Sequence, residues 1–305
     1  MKQNRLMEKT TLITAFFDID RKNFKAIPRS NNKYHDYFKF WAGLKNNLIV
    51  YTDETNYKVI KSIRSEFGLE EKTTIIIIDD IFEINPDLYQ RLIEIENDKY
   101  FKNFRERKNA TSNSGKYNYL MLLKSWFMQD AVSRNLTETN AAWIDYGFNH
   151  GGKVFDNPND FNFEWSPTNV EKINLYYLDE IDQRPIFEIV KRLEDCIMGP
   201  LILMPSEMTE KFYNMNLESM EMLNSLGLMD DDQLIMLFSH RRNPAYFNII
   251  KSNWFLGLSH FNGEHLSIKK PKKQSATKRL AINMYVSFRK KYELISYLHR
   301  NYTNY

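Results

Sequence analysis

The spacing of apolar residues changes along the chain, and each change marks an element. Thr10 to Phe17 (TTLITAFF) is an unbroken β-branched and aromatic run, a strand that ends at Asp18-Ile19-Asp20-Arg21. From Lys33 to Leu44 the residues Tyr34, Tyr37, Phe38, Trp41 and Leu44 fall on one helical face. Leu48 to Tyr51 is a second strand, and Tyr57 to Phe67 a helix closed by Gly68. Thr73 to Ile78 is a third strand, whose continuous β-branched run predicts burial on both faces. A charged helical segment, Tyr89 to Arg107, and a polar loop, Asn109 to Gly115, lead into an amphipathic helix over Tyr117–Val132. Ala142 to Ile144 then reads as the end of a buried strand that delivers Asp145 into a glycine-bearing turn. Residues 153–185 predict an inserted sheet flap with strands near Phe161–Trp165 and Ile173–Leu178. Ile197 to Pro205 is a short strand or turn, and helices follow over Ser206–Leu226 and Leu234–Ser239. Asn243-Pro244 breaks the chain before Trp254 to Ser259.

Strands alternating with helices across short connections predict an α/β fold with a mostly parallel, doubly wound central sheet. Right-handed crossovers place the loops after Phe17, Tyr51 and Ile78 along one sheet edge. Those loops hold Asp18, Asp20, Arg21, Asp53, Asp79 and Asp80. Neither GxGxxG nor GxxxxGK[ST] occurs, which disfavours the usual dinucleotide and P-loop modes. A nucleotide bound here must be held by side chains and a metal.

Composition adds three constraints. The 305 residues are 43% hydrophobic and 27% charged, ordinary for a folded soluble chain. The single cysteine, Cys196, excludes an intrachain disulfide and thiolate metal clusters, and reads as a small core residue. The first nine residues are basic without an apolar stretch behind them, and no segment reaches the length of a membrane span, so a cytoplasmic location is expected. Net charge is +3, but Lys269 to Tyr305 carries ten Lys/Arg against Glu293, leaving 3 − 9 = −6 on the rest. From Lys278 this tail reads as an amphipathic helix, either docking on an anionic inner membrane leaflet or packing on the body with a solvated basic face. No nucleic-acid-binding module accompanies the charges.

Three separated features point to one chemistry. Asp145 ends a strand after a nucleotide-sized half, Asp231-Asp232-Gln233 opens a helix, and His260-Phe261-Asn262-Gly263 precedes the lysines. Carboxylates with an imidazole suit Mn2+ or Mg2+ beside diphosphate oxygens. A further carboxylate outside the metal shell can deprotonate an incoming hydroxyl. Lys124 either snorkels to solvent or meets a phosphate or the backbone. Asp53 is either a base or ribose contact or an exposed turn acid, while Arg21 and Arg29 either bind diphosphate or decorate loops. His150 reads as a loop histidine, with assistance to a metal as the alternative. This parts list suits glycosyl transfer from a nucleotide sugar.

TLITAFFDIDR (11–21), RSNNKYHDYFKFWAGLKNNLIVYTDE (29–54), WIDYG (143–147), DDDQLIML (230–237) and RNPAYF (242–247) together resemble the HtrL/YibB family, over residues 10 to 265. The family in turn resembles GT-A-type glycosyltransferases of bacterial surface polysaccharide synthesis, with WIDYG where those enzymes carry Asp-X-Asp. The resemblance implies a GT-A-like domain over residues 1–268, with a nucleotide-sugar half (10–150) and an acceptor half (151–268), followed by a basic segment (269–305). It implies that Asp145, with Gly147 beside it, holds the metal and the sugar diphosphate, and that His260 is the late metal ligand. Asp231 or Asp232 would act as base or acceptor contact. Asp18, Arg21, Asp53, Lys124 and Lys269 complete the donor site. A UDP-sugar, UDP-galactose first, is the implied donor, and a glycan or lipid-linked glycan the acceptor. This sequence departs from the pattern in having one acid where two are usual, with Tyr146 and Gly147 following. A non-catalytic nucleotide-sugar or glycan-binding protein of the same fold is therefore the alternative, and a metal-dependent phosphoesterase a more distant one.

Overall fold

The computed structural model describes residues 8–269 except 24–28, 107–108, 110, 179–180, 182 and 195. The chain divides into two units, Met1–Ile268 and Lys269–Tyr305. The basic tail beyond Lys269, and the membrane reading attached to it, lie outside the described residues. Among the described residues no helix is long and apolar enough to cross a membrane.

One seven-stranded sheet organises the first unit. Its strands are β1 (Thr10–Phe16), β2 (Leu48–Thr52), β3 (Thr73–Ile77), β4 (Asn140–Ile144), β5 (Ile173–Tyr177), β6 (Ile197–Pro205) and β7 (Phe247–Lys251), in the order β3-β2-β1-β4-β6-β5-β7. Strands β3, β2, β1 and β4 are mutually parallel, as are β5 and β7. Strand β6 runs antiparallel to both β4 and β5, so the sheet is mixed. Strand β6 is nine residues long and runs through Gly199-Pro200, where the sequence leaves strand or turn open.

Two cores cover the two faces. Ile13, Ile49, Ala141, Trp143 and Ile202 face one, and Leu12, Val50, Ala142, Ile144 and Leu203 the other, as the alternation of a pleated strand requires. Helices α3 (Pro86–Asn97), α5 (Gly115–Ser133), α7 (Thr209–Ser225) and α8 (Asp232–Arg242) pack on the first core. Helices α1 (Asn31–Trp41) and α2 (Glu54–Glu66), with loop aromatics Phe148, Phe155, Phe161 and Trp165, close the second. The short helices α4 (Lys99–Phe104) and α6 (Ile186–Arg192) complete the set described.

Four sequence expectations change. Strand β3 is an edge strand with Ile77 exposed, not one buried on both faces; a β-branched run signals extended backbone without saying where it pairs. The sheet flap is absent among the described residues: Pro158–Phe161 is a 3-10 turn, and Ile173–Tyr177 joins the main sheet as β5. Strand β7 (FNIIK), five residues at the sheet edge, is absent from the sequence expectations. Helix α5 is enclosed on nearly all sides rather than amphipathic, burying Asn118, Ser125 and Lys124 alongside Leu122, Leu123 and Phe127.

Candidate functional site

Strand order reverses beside β1: the chain crosses to β2 on one side and later to β4 on the other. The C-terminal ends of two such strands diverge and leave a crevice, the usual ligand position in open α/β sheets. Here a cavity of about 380 Å³ opens between Ala15–Ile19 at the end of β1 and Trp143–Gly147 at the end of β4. Antiparallel β6 brings its beginning to the same edge, with Asp145 N donating to Pro200 O at 3.0 Å. Helix α5 packs against β1 and β4, and α8 against β6, so each presents a side chain at this edge.

Those side chains are Lys124 from α5 and Asp232 from the first turn of α8. Lys124 is 4% exposed. Its Nζ lies 2.8 Å from Asp145 Oδ1, 2.7 Å from Asp232 Oδ2 and 3.1 Å from Gly199 O. An ammonium has three protons, and three acceptors meet them. Trp143 Nε1 donates to the same Asp145 Oδ1 at 2.7 Å. Gly199 permits the approach: a Cβ there would lie 2.1 Å from Asp232 Oδ2. Burial alone pulls the Lys124 ammonium down, but Asp145 and Asp232 outweigh it and hold the group charged. Burial also pushes the Asp232 carboxyl up, against the pull of Lys124. The Asp145 side chain is 34% exposed and that of Asp232 9%. Asp145 Oδ2 accepts no hydrogen bond from the described residues.

The wall carries positive charge. Arg21 is buried with its guanidinium 5.1 Å from the Tyr117 ring, Arg29 is half-buried, and Lys153 is exposed. Arg29 Nη1 lies 3.5 Å from His150 Nε2. Burial, then Arg29 and Lys153, bring the His150 pKa down to about 4, so the ring is neutral near neutral pH. His150 also belongs to a left-handed run, with φ of 57° at Asn149, 43° at His150, 66° at Gly151 and 103° at Gly152. The Asn149 side chain fixes the run, accepting from Val154 N and Phe155 N and donating to Phe155 O. Such backbone persists only where its surroundings over-determine it, and it concentrates at functional sites. Tyr146 anchors the turn, stacked between Phe16 and Phe38 at 4.6 and 4.5 Å and bonded to His35 at 2.8 Å.

Asp18, Arg21, Lys124, Asp145, Gly147 and Asp232 all line the cavity. The carboxylate of Asp18 is engaged locally, by Asp20 N at 2.8 Å and Asn31 Nδ2 at 3.0 Å. The other expected residues lie elsewhere. Asp231 caps α8, accepting from Gln233 N at 3.2 Å and from Ser112 Oγ at 2.9 Å, and does not line the cavity. Asp53 caps α2 through Asn56 N at 3.1 Å, so a strand-end acid here serves a helix start. His260 lies outside the cavity lining, 3.3 Å from Ser252 Oγ and stacked on Tyr176. Lys269 is exposed and belongs to the second unit. The sequence does not single out Gly199 or the bond from Trp143, and cavity-lining Gln233 reads there only as part of the helix-opening cluster. A glycine inside an apolar run, a sign of close backbone approach, was the available signal for the first.

The donor set does not fit a divalent ion. Among the described residues no group of three His, Cys, Asp or Glu side chains is placed to hold one. Asp145 Oδ1 faces two N–H donors, and an ammonium already fills the space between the carboxylates.

A family model described as a bacterial protein of unknown function (HtrL_YibB) matches residues 8–263. The chain is 28% identical over 268 residues to Protein HtrL of Escherichia coli (strain K12), covering 82% of this chain and 91% of that one. The crystal structure of mouse xyloside xylosyltransferase 1 in its apo form aligns with a TM-score of 0.43 at 12% identity, over 79% of this chain and 85% of that one. With the match running from β1 through β7 and across the whole cavity edge, the chain belongs to the HtrL/YibB family.

Proposed function

We propose that the protein transfers a glycosyl group from a nucleotide-sugar donor to a hydroxyl of a glycan or lipid-linked glycan. The observation that carries this reading is the separation of charge within one cavity. The carboxylates of Asp145 and Asp232 share its buried end with Lys124, while Arg21, Arg29 and Lys153 supply cations along the wall. Carboxylates accept hydrogen bonds from sugar hydroxyls, and guanidinium forks match phosphate oxygens. The volume, about 380 Å³, lies within the roughly 300–1,000 Å³ of small-molecule sites.

In this reading Lys124 keeps both carboxylates in place, and Asp145 Oδ2 accepts from a donor-sugar hydroxyl. Asp232, its pKa raised by burial, is the base. In an inverting transfer the acceptor oxygen bonds to the anomeric carbon as the bond from that carbon to the phosphate oxygen breaks. The acceptor proton passes to Asp232, and the nucleoside diphosphate departs with the bonding pair toward the wall cations. UDP-galactose is the first donor to test, and a bacterial surface polysaccharide or its lipid-linked precursor the acceptor class.

Calorimetric titration with UDP-sugars, followed by donor hydrolysis and transfer assays, tests the reading. We expect donor binding that weakens about tenfold in Arg29→Ala, one charge-assisted contact being worth about 1.5 kcal/mol. Asp232→Asn should retain binding while turnover falls by roughly two orders of magnitude or more, the usual effect of removing a general base. Absence of binding to every nucleoside diphosphate sugar would sink the proposal, and binding without turnover would leave a sugar-nucleotide-binding protein.

A further inference from the structure

We infer that the Lys124 ammonium is the resident cation of this site, and that the carboxylate pair takes no divalent ion while it is in place. The inference deepens the donor reading above and rests on it for the anion, but the place of the cation stands on geometry alone. Lys124 Nζ contacts Asp145 Oδ1, Asp232 Oδ2 and Gly199 O at 2.8, 2.7 and 3.1 Å, which uses all its protons. The surroundings are shaped for it. Gly199 offers a bare carbonyl where any side chain would strike Asp232, and Trp143 Nε1 aims a second donor at Asp145 Oδ1. An oxygen that two N–H donors approach is not turned toward a metal.

An ion entering between the two carboxylates would have to expel the ammonium. Lys124 is buried midway along α5, and the remaining acid of the cavity, Asp18, is already engaged by Asp20 and Asn31. Expulsion therefore leaves a buried charge without a counterion, the costly half of a broken ion pair. One ammonium against two carboxylates leaves the cluster at −1, whereas a divalent ion would bring the pair to zero. Neutralising a diphosphate accordingly falls to Arg21, Arg29 and Lys153 on the wall. Transfer by this site proceeds without a divalent ion.

Two measurements on the full chain decide it. Titration of EDTA-stripped protein with MnCl2, following free Mn2+ by electron paramagnetic resonance, reads the cation site without any donor. The wild type should show no Mn2+ binding that depends on Asp145, whereas Lys124→Met and Lys124→Ala, which open the carboxylate pair, should bind Mn2+ at least about tenfold more tightly. Calorimetric titration of the wild type with UDP and UDP-galactose should give the same affinity in EDTA as in Mn2+. Mn2+ binding by the wild type that Asp145→Asn abolishes would overturn the inference, and so would a tenfold or greater loss of donor affinity in EDTA. Should the Lys124 variants fail to fold, the wild type and Asp145→Asn still decide it. If no UDP-sugar binds with or without Mn2+, the donor reading fails, and the Mn2+ titration alone still settles what holds the carboxylates.

Discussion

Asp145 and Asp232 share one ammonium but not one environment, and the difference sets what each substitution does. The Asp232 side chain is 9% exposed and that of Asp145 34%. Asp232→Asn should destabilise the fold by about 1–3 kcal/mol in urea denaturation, because it weakens the most deeply buried acceptor of the ammonium while Asp145 still balances its charge. Solvent screening should hold Asp145→Asn to about 1 kcal/mol. Equal losses would contradict the burial difference. Gly199→Ala should cost about 1–3 kcal/mol, the range of core overpacking, and weaken donor binding, since the new Cβ would lie 2.1 Å from Asp232 Oδ2. His150 predicts a pH effect. Its folded pKa, about 4, lies below the ordinary 6.5, so between those values the unfolded chain binds a proton that the folded chain refuses. Stability should therefore fall as pH drops from 6.5 toward 4; burial lowers His35 and His240 in the same direction. His150→Asn, which tolerates the left-handed backbone, should flatten the slope of the urea midpoint between pH 6.5 and 5. The sequence placed Asp145, Lys124 and Asp232 among the candidates because each type and position suggested chemistry. It could not show that Lys124 is the hub, because a lysine in a helix usually reaches solvent. Nor could it separate Asp53 and Asp231, which cap helices, from acids that face the cavity, since both kinds precede a helix.

At the scale of elements, the parallel half of the sheet was legible because β1, β2 and β4 are apolar runs bounded by turns. Around antiparallel β6 less was legible: β5 reads as a strand, but of a separate flap, and Ile197–Pro205 as a strand or turn. Strand β6 contains Gly199-Pro200, and the glycine answers to the close approach of Lys124 and Asp232 rather than to a chain reversal. Strand β7 (FNIIK) has only five residues, exposes Asn248 and Lys251, and follows directly on the 3-10 turn Pro244–Tyr246, so Asn243-Pro244 reads as a break rather than as the lead into a strand. Arg105 gains its meaning mainly from contacts distant in sequence. It bonds to Val190 O at 2.9 Å, Met229 O at 2.6 Å and Asp230 Oδ2 at 3.2 Å, and locally to Ser112 O at 3.2 Å, tying the end of α4 to α6 and to the approach to α8. Arg105→Met should destabilise the protein by about 3–5 kcal/mol, as expected for one partner lost from a buried pair. The same change should release the first turn of α8, which hydrogen exchange at Gln233 and Leu234 would register. Unaltered exchange there would show that Asp231 and its capping bonds hold the turn alone.

For the molecule as a whole, every residue lining the cavity lies between Ala15 and Phe255, inside the first unit. Shortening the chain to end at residue 269 should therefore leave donor affinity unchanged. If the basic segment docks the protein on anionic vesicles, the same change should release it; vesicle binding that persists would refute that role. A saturating donor should raise the unfolding free energy by about 2.7 kcal/mol at a hundred times its dissociation constant, seen as a shift in the urea midpoint. The ammonium of Lys124 also makes a reporter of motion. An amine reagent needs a neutral, accessible nitrogen, and this one is charged, enclosed and bonded in three directions. Acylation can reach it only when α5 parts from the ends of β4 and β6, so its labelling rate tracks the free energy of that opening. The slowest-labelling lysine among those described would then time how often the cavity's buried end comes apart, with and without a sugar nucleotide bound.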